Sequence, residues 1–243
     1  MGTIIRRKPV FAALIALGCL LCGQANATSL EITPVAVHLV PGNNATTIEV
    51  MNRGGVAAAI QLRAFAWTQA GDQDVLTPTR DIIVSPPIFT IGKGATQTIR
   101  LLLRRGAASA GERTYRLLID EVPPVSSKGH NIVVAMRLSL PVIIASEKSN
   151  AGSLHWRAKR VAGGQIMLSA TNAGSAFERV HAIAVTLADG SRPGVAATGT
   201  NSYILAGARR QWVVKSGGGT SLELRLNVTT RSGKSEQVLA LAQ

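Results

Sequence analysis

The sequence predicts an all-β protein built from two β-sandwich domains. Short stretches of alternating or β-branched apolar residues recur along its 243 residues, and turns rich in Gly, Pro, Asn and Asp separate them. Aromatic residues make up only 4% of the chain, so the predicted cores are aliphatic. Strands of this length and spacing are typical of β-sandwiches, and each half of the chain is long enough for about seven strands.

The N-terminus predicts export from the cytoplasm. Arg6, Arg7 and Lys8 precede a mostly apolar stretch, and Ala25 and Ala27 form a small-x-small cleavage pattern. We therefore expect residues 1–27 to be a signal peptide that is removed after Ala27. Both cysteines of the chain lie within it, so the mature protein has no disulfide. A lipoprotein signal is disfavoured because no Leu stands three residues before Cys19.

The mature chain is basic but does not show a nucleic-acid-binding pattern. Its formal charge is +13 for the whole sequence minus 3 for the signal peptide, or +10. The densest basic clusters, at residues 104–105, 159–160 and 209–210, have no aromatic stacking platform beside them. No later apolar run reaches the length of a transmembrane helix, so we expect no stable membrane insertion.

The predicted strands of the first half end at a polar break, residues 147–152, which predicts the domain boundary. The two domains are therefore expected at residues 28–146 and 147–243. The first domain is expected to have strands at residues 29–40, 45–52, 56–68, 82–84, 96–104, 114–122 and 131–144. The second is expected to have strands at residues 154–160, 165–171, 180–187, 202–205, 211–215, 221–230 and 237–241.

The stretch at residues 131–144 is the most informative of these strands. It is almost all apolar, with Arg137 in the middle and Pro141 near the end, and it is too short to cross a bilayer as a helix. Because proline has no N–H, this strand is expected at a sheet edge or to be bent. An apolar edge strand invites association unless it has a partner. The alternative is an ordinary buried sandwich strand.

Two further segments of the sequence resemble segments of the periplasmic pilus-assembly chaperones (PapD-like). Residues 82–100, with a double proline, an apolar strand, a glycine turn and a strand ending in Arg100, resemble one stretch of that family. Residues 115–124, ending in Glu-Val-Pro-Pro, resemble its next strand. The ending of the informative strand, at residues 137–142, looks closest to the archaic branch that serves spore coat protein U-type subunits. The resemblance covers the first half in order; in the second half it depends on strand count and the turn at Asn172 and Gly174.

The resemblance implies two immunoglobulin-like sandwiches in an L or boomerang. It also implies a periplasmic chaperone that binds a pilin-like subunit by donor-strand complementation and delivers it to an outer-membrane usher. The donor row would be Val134, Met136, Leu138 and Leu140. The opposite row, with Arg137, would face the first domain or the cleft. In the free protein the start of the strand, near residues 131–135, would be disordered or self-paired, including by self-association of two copies, and it would become ordered when a subunit binds.

One feature departs from the better-known branch of that family, which anchors the subunit's C-terminal carboxylate with an Arg on the first strand and a Lys on the last. Residues 29–40 contain no Arg or Lys, and residues 131–144 contain no Lys. The expected substitutes are Arg100 and Arg137, with Arg63 as a weaker candidate. A structural ion pair is the alternative role for Arg100, and an isolated Arg137 would be costly without a partner.

No motif predicts catalysis, a metal site or a cofactor. The histidines of the mature chain are widely spaced, and no nucleophile elbow or phosphate-binding glycine loop is present. We therefore expect no enzyme activity and no cofactor. Two other functions remain open: a secreted two-domain adhesive or carbohydrate-binding protein, and a periplasmic enzyme on a β scaffold.

Overall fold

A computed structural model describes residues 29–40, 42–104, 111–123, 135–147, 151–197, 202–215 and 222–242. The predicted signal peptide and Val134 lie outside these ranges. The described residues form strands with one short 3-10 turn at Ala162–Gly164, and they contain no α-helix. The prediction of an all-β protein with two sandwich domains is confirmed.

The first domain consists of two sheets packed face to face. Its strands are β1 (Leu30–Thr33), β2 (Val37–Leu39), β3 (Ala45–Asn52), β4 (Ala58–Ala70), β5 (Gln73–Pro78), β6 (Ile82–Ser85), β7 (Ile88–Ile91), β8 (Thr96–Leu103), β9 (Arg113–Val122) and β10 (Arg137–Ile144). One sheet has the order β1-β3-β8-β6. The other has the order β2-β10-β9-β4-β5, with β7 also paired to β4.

Alternation along the strands directs aliphatic side chains between these two sheets. β8 shows this clearly, because Ile99, Leu101 and Leu103 are buried while the residues between them are exposed or half-buried. Ile48 and Val50 of β3 and Leu117 and Ile119 of β9 meet them in the same core.

The second domain is a single eight-stranded sheet that folds over its own core. Its strands are β11 (Leu154–Val161), β12 (Gln165–Asn172), β13 (Glu178–Leu187), β14 (Val195–Ala197), β15 (Tyr203–Ile204), β16 (Arg209–Val214), β17 (Glu223–Thr230) and β18 (Gly233–Ala242). The order is β14-β16-β12-β11-β18-β17-β13-β15, with β11 and β18 parallel. The predicted boundary after residue 146 falls between β10 and β11 and stays a prediction.

The structure corrects several predicted strands. Residues 29–40 form two strands in different sheets instead of one kinked strand, with β1 paired to β3 and β2 paired to β10. β5, which pairs with β4, was not among the predicted strands. β7 corresponds to the apolar strand that the family resemblance implies between the double proline and the glycine turn. β14 was not predicted, and β18 begins four residues earlier than expected. These strands are short or polar, so their pairing comes from neighbouring strands and not from an apolar pattern.

A buried asparagine occupies the same role in each domain. The side-chain amide of Asn52 donates to the carbonyls of Val56 and Ile91, and its carbonyl accepts from Gly54 N–H. Asn172 donates to the carbonyls of Ala176 and Ile204 and accepts from Gly174 N–H. These bonds satisfy buried backbone groups where the chain turns between strands. The two domains therefore share a turn that the sequence reveals as Asn-x-Gly.

The two domains are joined by apolar packing, hydrogen bonds and an ion pair. Trp67 of β4 and Ile143 of β10 belong to the second domain's core. The Gln69 side chain donates to the Tyr203 carbonyl at 3.1 Å and accepts from Leu205 N–H at 3.0 Å. Arg210, 3% exposed, forms an ion pair with Asp74.

Candidate functional site

The candidate site is built around β10, which is only partly paired. Its whole length pairs antiparallel with β9, from Arg137 opposite Asp120 to Ile144 opposite Arg113. On its other side, β2 pairs in parallel with Val142–Ile144 only. The edge from Arg137 to Pro141 therefore has no strand partner among the residues that the structure describes.

The backbone groups of this edge can be assigned by alternation. Glu121 N–H donates to the Met136 carbonyl, so Met136 and every second residue after it face β9. Ala145 N–H donates to the Leu39 carbonyl, so the odd-numbered residues face β2 or the free edge. The open edge thus presents the N–H groups of Arg137 and Ser139. Pro141, which has no N–H, is the last residue before β2 begins to pair.

Three members of the predicted donor row lie within the described residues, and they are not equally accessible. Met136 is half-buried, and Leu138 is half-buried against the first core. Leu140 is 4% exposed and belongs to that core. The row therefore faces the first domain, which corrects the expectation that the opposite row does. The assignment of a donor strand stays a prediction.

An apolar groove opens beside this row. It has a volume of about 250 Å³ and lies between β1 and β10, the neighbouring edges of the two sheets. Its lining residues are Leu30, Ile32, Val35, Leu138, Ser139 and Leu140. Val35, in the crossing between β1 and β2, is 78% exposed. The first sandwich is therefore open along the side where β10 lacks a partner.

Arg137 is not an isolated charge, contrary to expectation. Its Nε donates to one carboxylate oxygen of Asp120, and Arg63 Nη2 binds the other oxygen at 2.6 Å. The Asp120 side chain is 11% exposed, whereas the side chains of Arg137 and Arg63 are 61% and 43% exposed. We call these three residues the Asp120 cluster. It carries a net positive charge and lies on the outer face of the sheet.

Arg100 lies away from β10. It is exposed on β8, in the other sheet of the first domain, opposite Thr47 and Ser85 in the strand register. It lines a surface hollow of about 650 Å³ together with residues of β3 and β6. The structure therefore does not bring Arg100 and Arg137, the two predicted anchors, together.

A second cavity, which we call the cleft cavity, lies where the domains meet and has a volume of about 530 Å³. Its lining residues are Arg116, Arg179, Val180, His181, Ala182, Ile183, Val195, Ala197, Ser202, Tyr203 and Trp212. Arg116 belongs to the first domain and the others to the second. Arg179 lies with its guanidinium carbon 5.0 Å from the Tyr203 ring centre, so the cavity has one basic, aromatic end.

Sequence reasoning missed Arg116 as a functional candidate. It is 8% exposed, and its guanidinium carbon lies 3.7 Å from the Trp67 ring centre and 5.4 Å from that of Tyr203. Its guanidinium has no direct hydrogen bond or ion pair within the described part of the chain. Burial lowers its pKa, and the negative charge of Asp74 partly offsets this effect. A buried arginine that lines a cavity and makes no direct ion pair is suited to bind an anion. The signal in the sequence was an arginine between Tyr115 and Leu117 in an apolar strand.

The described ranges contain no group of three or more His, Cys, Asp or Glu side chains arranged to hold a metal ion. Within the same ranges, no helix is long and apolar enough to span a membrane.

The Asp120 cluster predicts a pH dependence of stability. Burial raises the pKa of Asp120, but hydrogen bonds and positive charge from Arg137 and Arg63 outweigh burial and hold its pKa below the usual 3.8. The ionised carboxylate therefore stabilises the fold above the usual pKa, and this contribution is lost as pH falls through the lower folded value. Asp120→Asn should be less stable than wild type at neutral pH.

The difference in unfolding free energy between wild type and Asp120→Asn should shrink from about pH 6 to about pH 2, measured by urea denaturation. A difference that stays constant over this range would contradict the ionic role of Asp120.

Comparison with known proteins assigns the N-terminal domain to a family. The family described as "Pili and flagellar-assembly chaperone, PapD N-terminal domain" matches residues 29–148. No match was found among curated protein sequences.

Solved structures share the fold over most of the chain. A chain in the CsuC–CsuE chaperone–tip adhesion subunit pre-assembly complex of Acinetobacter baumannii is 23% identical, with a TM-score of 0.62; the match covers 88% of this protein and 98% of that chain. The YadV chaperone is 16% identical, with a TM-score of 0.64 and coverage of 86% and 99%. A chain in the Salmonella enterica structure of SafA pilin with the SafB chaperone is 17% identical, with a TM-score of 0.60. The match covers 90% of this protein and 99% of that chain. The N-terminal domain, residues 29–148, belongs to the family of PapD-like pilus-assembly chaperones.

Proposed function

We propose that this protein is a periplasmic chaperone that binds a pilin-like subunit through the open edge of β10 and delivers it to an outer-membrane usher. The observation that carries the proposal is the unpaired edge from Arg137 to Pro141 beside an apolar groove, in a domain of this chaperone family. The solved structures that share its fold include complexes of a chaperone with a pilin or with a tip adhesion subunit. The predicted signal peptide supports the periplasmic location.

The physical basis of the proposal is strand addition. Free N–H and C=O groups on a sheet edge can pair with a strand of another chain with little dependence on that chain's sequence. Met136 and Leu138 then bury apolar surface against the subunit, and each fully buried side chain contributes roughly 1.5–3 kcal/mol. Leu140, already buried, would support the strand from its own core.

This proposal favours a chaperone over an adhesive or carbohydrate-binding protein. A carbohydrate-binding surface would be expected to display exposed aromatic side chains. Trp67, Trp156 and Trp212 are all buried instead, at 1%, 7% and 7% exposure.

The anchor for the subunit's terminal carboxylate is proposed from three arginines. Arg137 lies at the start of β10 and keeps most of its guanidinium exposed, although its Nε is bound by Asp120. Arg116 lies opposite Pro141 in the strand register and makes no direct ion pair in the described chain, although Asp74 acts on it electrostatically. Arg100 remains a candidate from the resemblance, but it lies on the opposite sheet. The geometry favours Arg116 because an anion there would offset the cost of its burial.

The donor-strand proposal predicts that Met136→Asp and Leu138→Asp abolish subunit capture without unfolding the protein. A carboxylate in the apolar row would be desolvated in the complex, which costs far more than the contact provides. The measurement is size-exclusion chromatography of periplasmic extracts after co-expression with a pilin-like subunit. Leu222→Asp is the matched control, because Leu222 is 77% exposed in the second domain. Stable one-to-one complexes with both β10 variants would refute the proposal.

The anchor proposal predicts that Arg116→Gln weakens subunit binding by about 1.5–3 kcal/mol, the contribution of a hydrogen bond to a charged group. Arg137→Gln and Arg100→Gln are compared with it, using subunits with intact and amidated C-termini. Amidation should weaken binding to the wild type and leave binding to the anchor variant unchanged. If amidation does not affect the wild type, no arginine anchors the carboxylate.

A further inference from the structure

We propose that the second domain carries a basic sheet face that binds the anionic headgroups of a phospholipid bilayer. The occupant is a membrane surface that contains acidic phospholipid, and the attachment is peripheral, with no segment inserted into the bilayer. This inference goes beyond the proposed function and does not depend on subunit binding. It is carried by basic side chains that the fold brings to one face of a sheet, without an acidic residue among them.

The first half of this face comes from β11. Trp156 and Ala158 are buried in the second core, so the residues that alternate with them point away from the core. The outward residues are all exposed, and they are His155, Arg157 and Lys159. One strand therefore presents two permanent positive charges and a histidine in a row.

The second half of the face comes from β16, in the same sheet. Arg210 and Trp212 are buried, so Arg209, the residue before them, points outward and is exposed. β12 lies between β16 and β11. Two of the three densest basic clusters in the sequence, at residues 159–160 and 209–210, thus belong to one sheet and each contributes a side chain to one face.

The strand register shows how close these side chains lie. Thr171 of β12 is paired with His155 on one side and with Arg209 on the other. Neighbouring strands are about 4.8 Å apart, so the backbones of His155 and Arg209 are separated by about 10 Å. Arg157 lies two residues farther along β11 on the same face. We call His155, Arg157, Lys159 and Arg209 the basic face.

The charge of the basic face is not compensated. β11, β12, β14 and β16 contain no Asp or Glu. Within the described residues, Arg157, Lys159 and Arg209 form no ion pair. The other half of the same sheet differs, because Arg225 of β17 is paired with Glu236 of β18 at 2.5 Å. Only the half that contains the basic face is therefore left with unpaired positive charge.

The chemistry of the face favours a bilayer surface over a macromolecule with a specific shape. Trp156 and Trp212, the aromatic residues of these strands apart from His155, are buried, so they offer neither a stacking platform for nucleic acid nor an anchor for a protein partner. Clustered Lys and Arg side chains are attracted to anionic headgroups by charge alone, without a fitted pocket. The predicted signal peptide also directs the protein to a compartment bounded by membranes.

Two triple variants separate the basic face from total charge. The face variant combines Arg157→Gln, Lys159→Gln and Arg209→Gln. The control variant removes three exposed basic residues elsewhere on the molecule, through Lys93→Gln, Arg104→Gln and Lys234→Gln. Each variant lowers the net charge by the same amount, and both should fold because all six side chains are exposed.

The test measures partition of the mature chain onto vesicles by flotation. One set contains equal parts of phosphatidylglycerol and phosphatidylcholine, and the other contains phosphatidylcholine alone. The wild type should bind only the anionic vesicles and should be released by salt, which screens the attraction. The partition coefficient of the face variant should fall about a hundredfold, as expected for three basic side chains at a membrane surface. The control variant should stay within about threefold of the wild type.

Equal partition of the wild type onto both kinds of vesicle, or equal losses in the face and control variants, would overturn the proposal. Tighter binding of the wild type to duplex DNA than to anionic vesicles, at equal phosphate concentration, would also overturn it in favour of nucleic acid. Because the free edge of β10 lies in the first domain, Leu138→Asp should bind vesicles as the wild type does. Failure of the basic face therefore leaves the donor-strand proposal unaffected.

Discussion

The incomplete pairing of β10 is the constraint on which the rest of the site depends. β9 pairs with it along its entire length, whereas β2 covers only its last three residues. The cause lies at the N-terminal end of the domain, where the chain leaves β1 in one sheet and enters β2 in the other. Had residues 29–40 formed a single strand beside β10, the free edge and the groove between the sheets would both be closed.

The same arrangement explains how the domain tolerates an exposed edge. Long, flat apolar edges invite aggregation. Here the free portion is short and ends at Pro141, and its outer face carries the charged Asp120 cluster. The Glu121 carboxylate also binds Met136 N–H at 3.2 Å, which holds the start of the strand against β9. The strand is therefore fixed on one side and open on the other, as a surface for strand addition requires.

The domain junction adds a second, chemically different surface. Arg210 and Gln69 tie the β4–β5 hairpin to the second domain through buried polar contacts. Arg116 lies within reach of this junction, stacked on Trp67, and lines the cleft cavity with residues of the second domain. Because both domains contribute to this cavity, a ligand bound there would contact both of them. A one-domain fragment would lack part of the site.

Much of the fold could be predicted because alternation and turn residues report local structure. Of the strand predicted at residues 131–144, the structure has Arg137–Ile144 as β10, and residues 131–134 lie outside the described ranges. The second asparagine turn could be predicted from Asn172 and Gly174. The division of residues 29–40 between two sheets could not be predicted. Side chains alternate with a period of two residues in every strand, so the pattern does not show which sheet a strand joins. The partner of Arg137 was missed for a similar reason. Asp120 is distant in sequence and becomes its neighbour only through the register of β9 and β10.

Arg116 is a clearer example of a residue whose environment could not be predicted from the sequence. In sequence it resembles Arg137, since each is an arginine within an apolar strand. Only the packing of the second domain buries Arg116 and leaves Arg137 exposed. The difference in burial between them is therefore a property of the domain junction, which strand patterns do not encode.

The most direct test of the central claim is amide hydrogen exchange at single residues of β10, measured with and without a bound pilin-like subunit. In the free monomer, the amides of Arg137 and Ser139 should exchange rapidly, whereas those of Leu138 and Leu140 should be protected by β9. Binding of the subunit should protect Arg137 and Ser139 as well. Protection of Arg137 and Ser139 in the dilute free monomer, or no gain of protection on binding, would contradict the account.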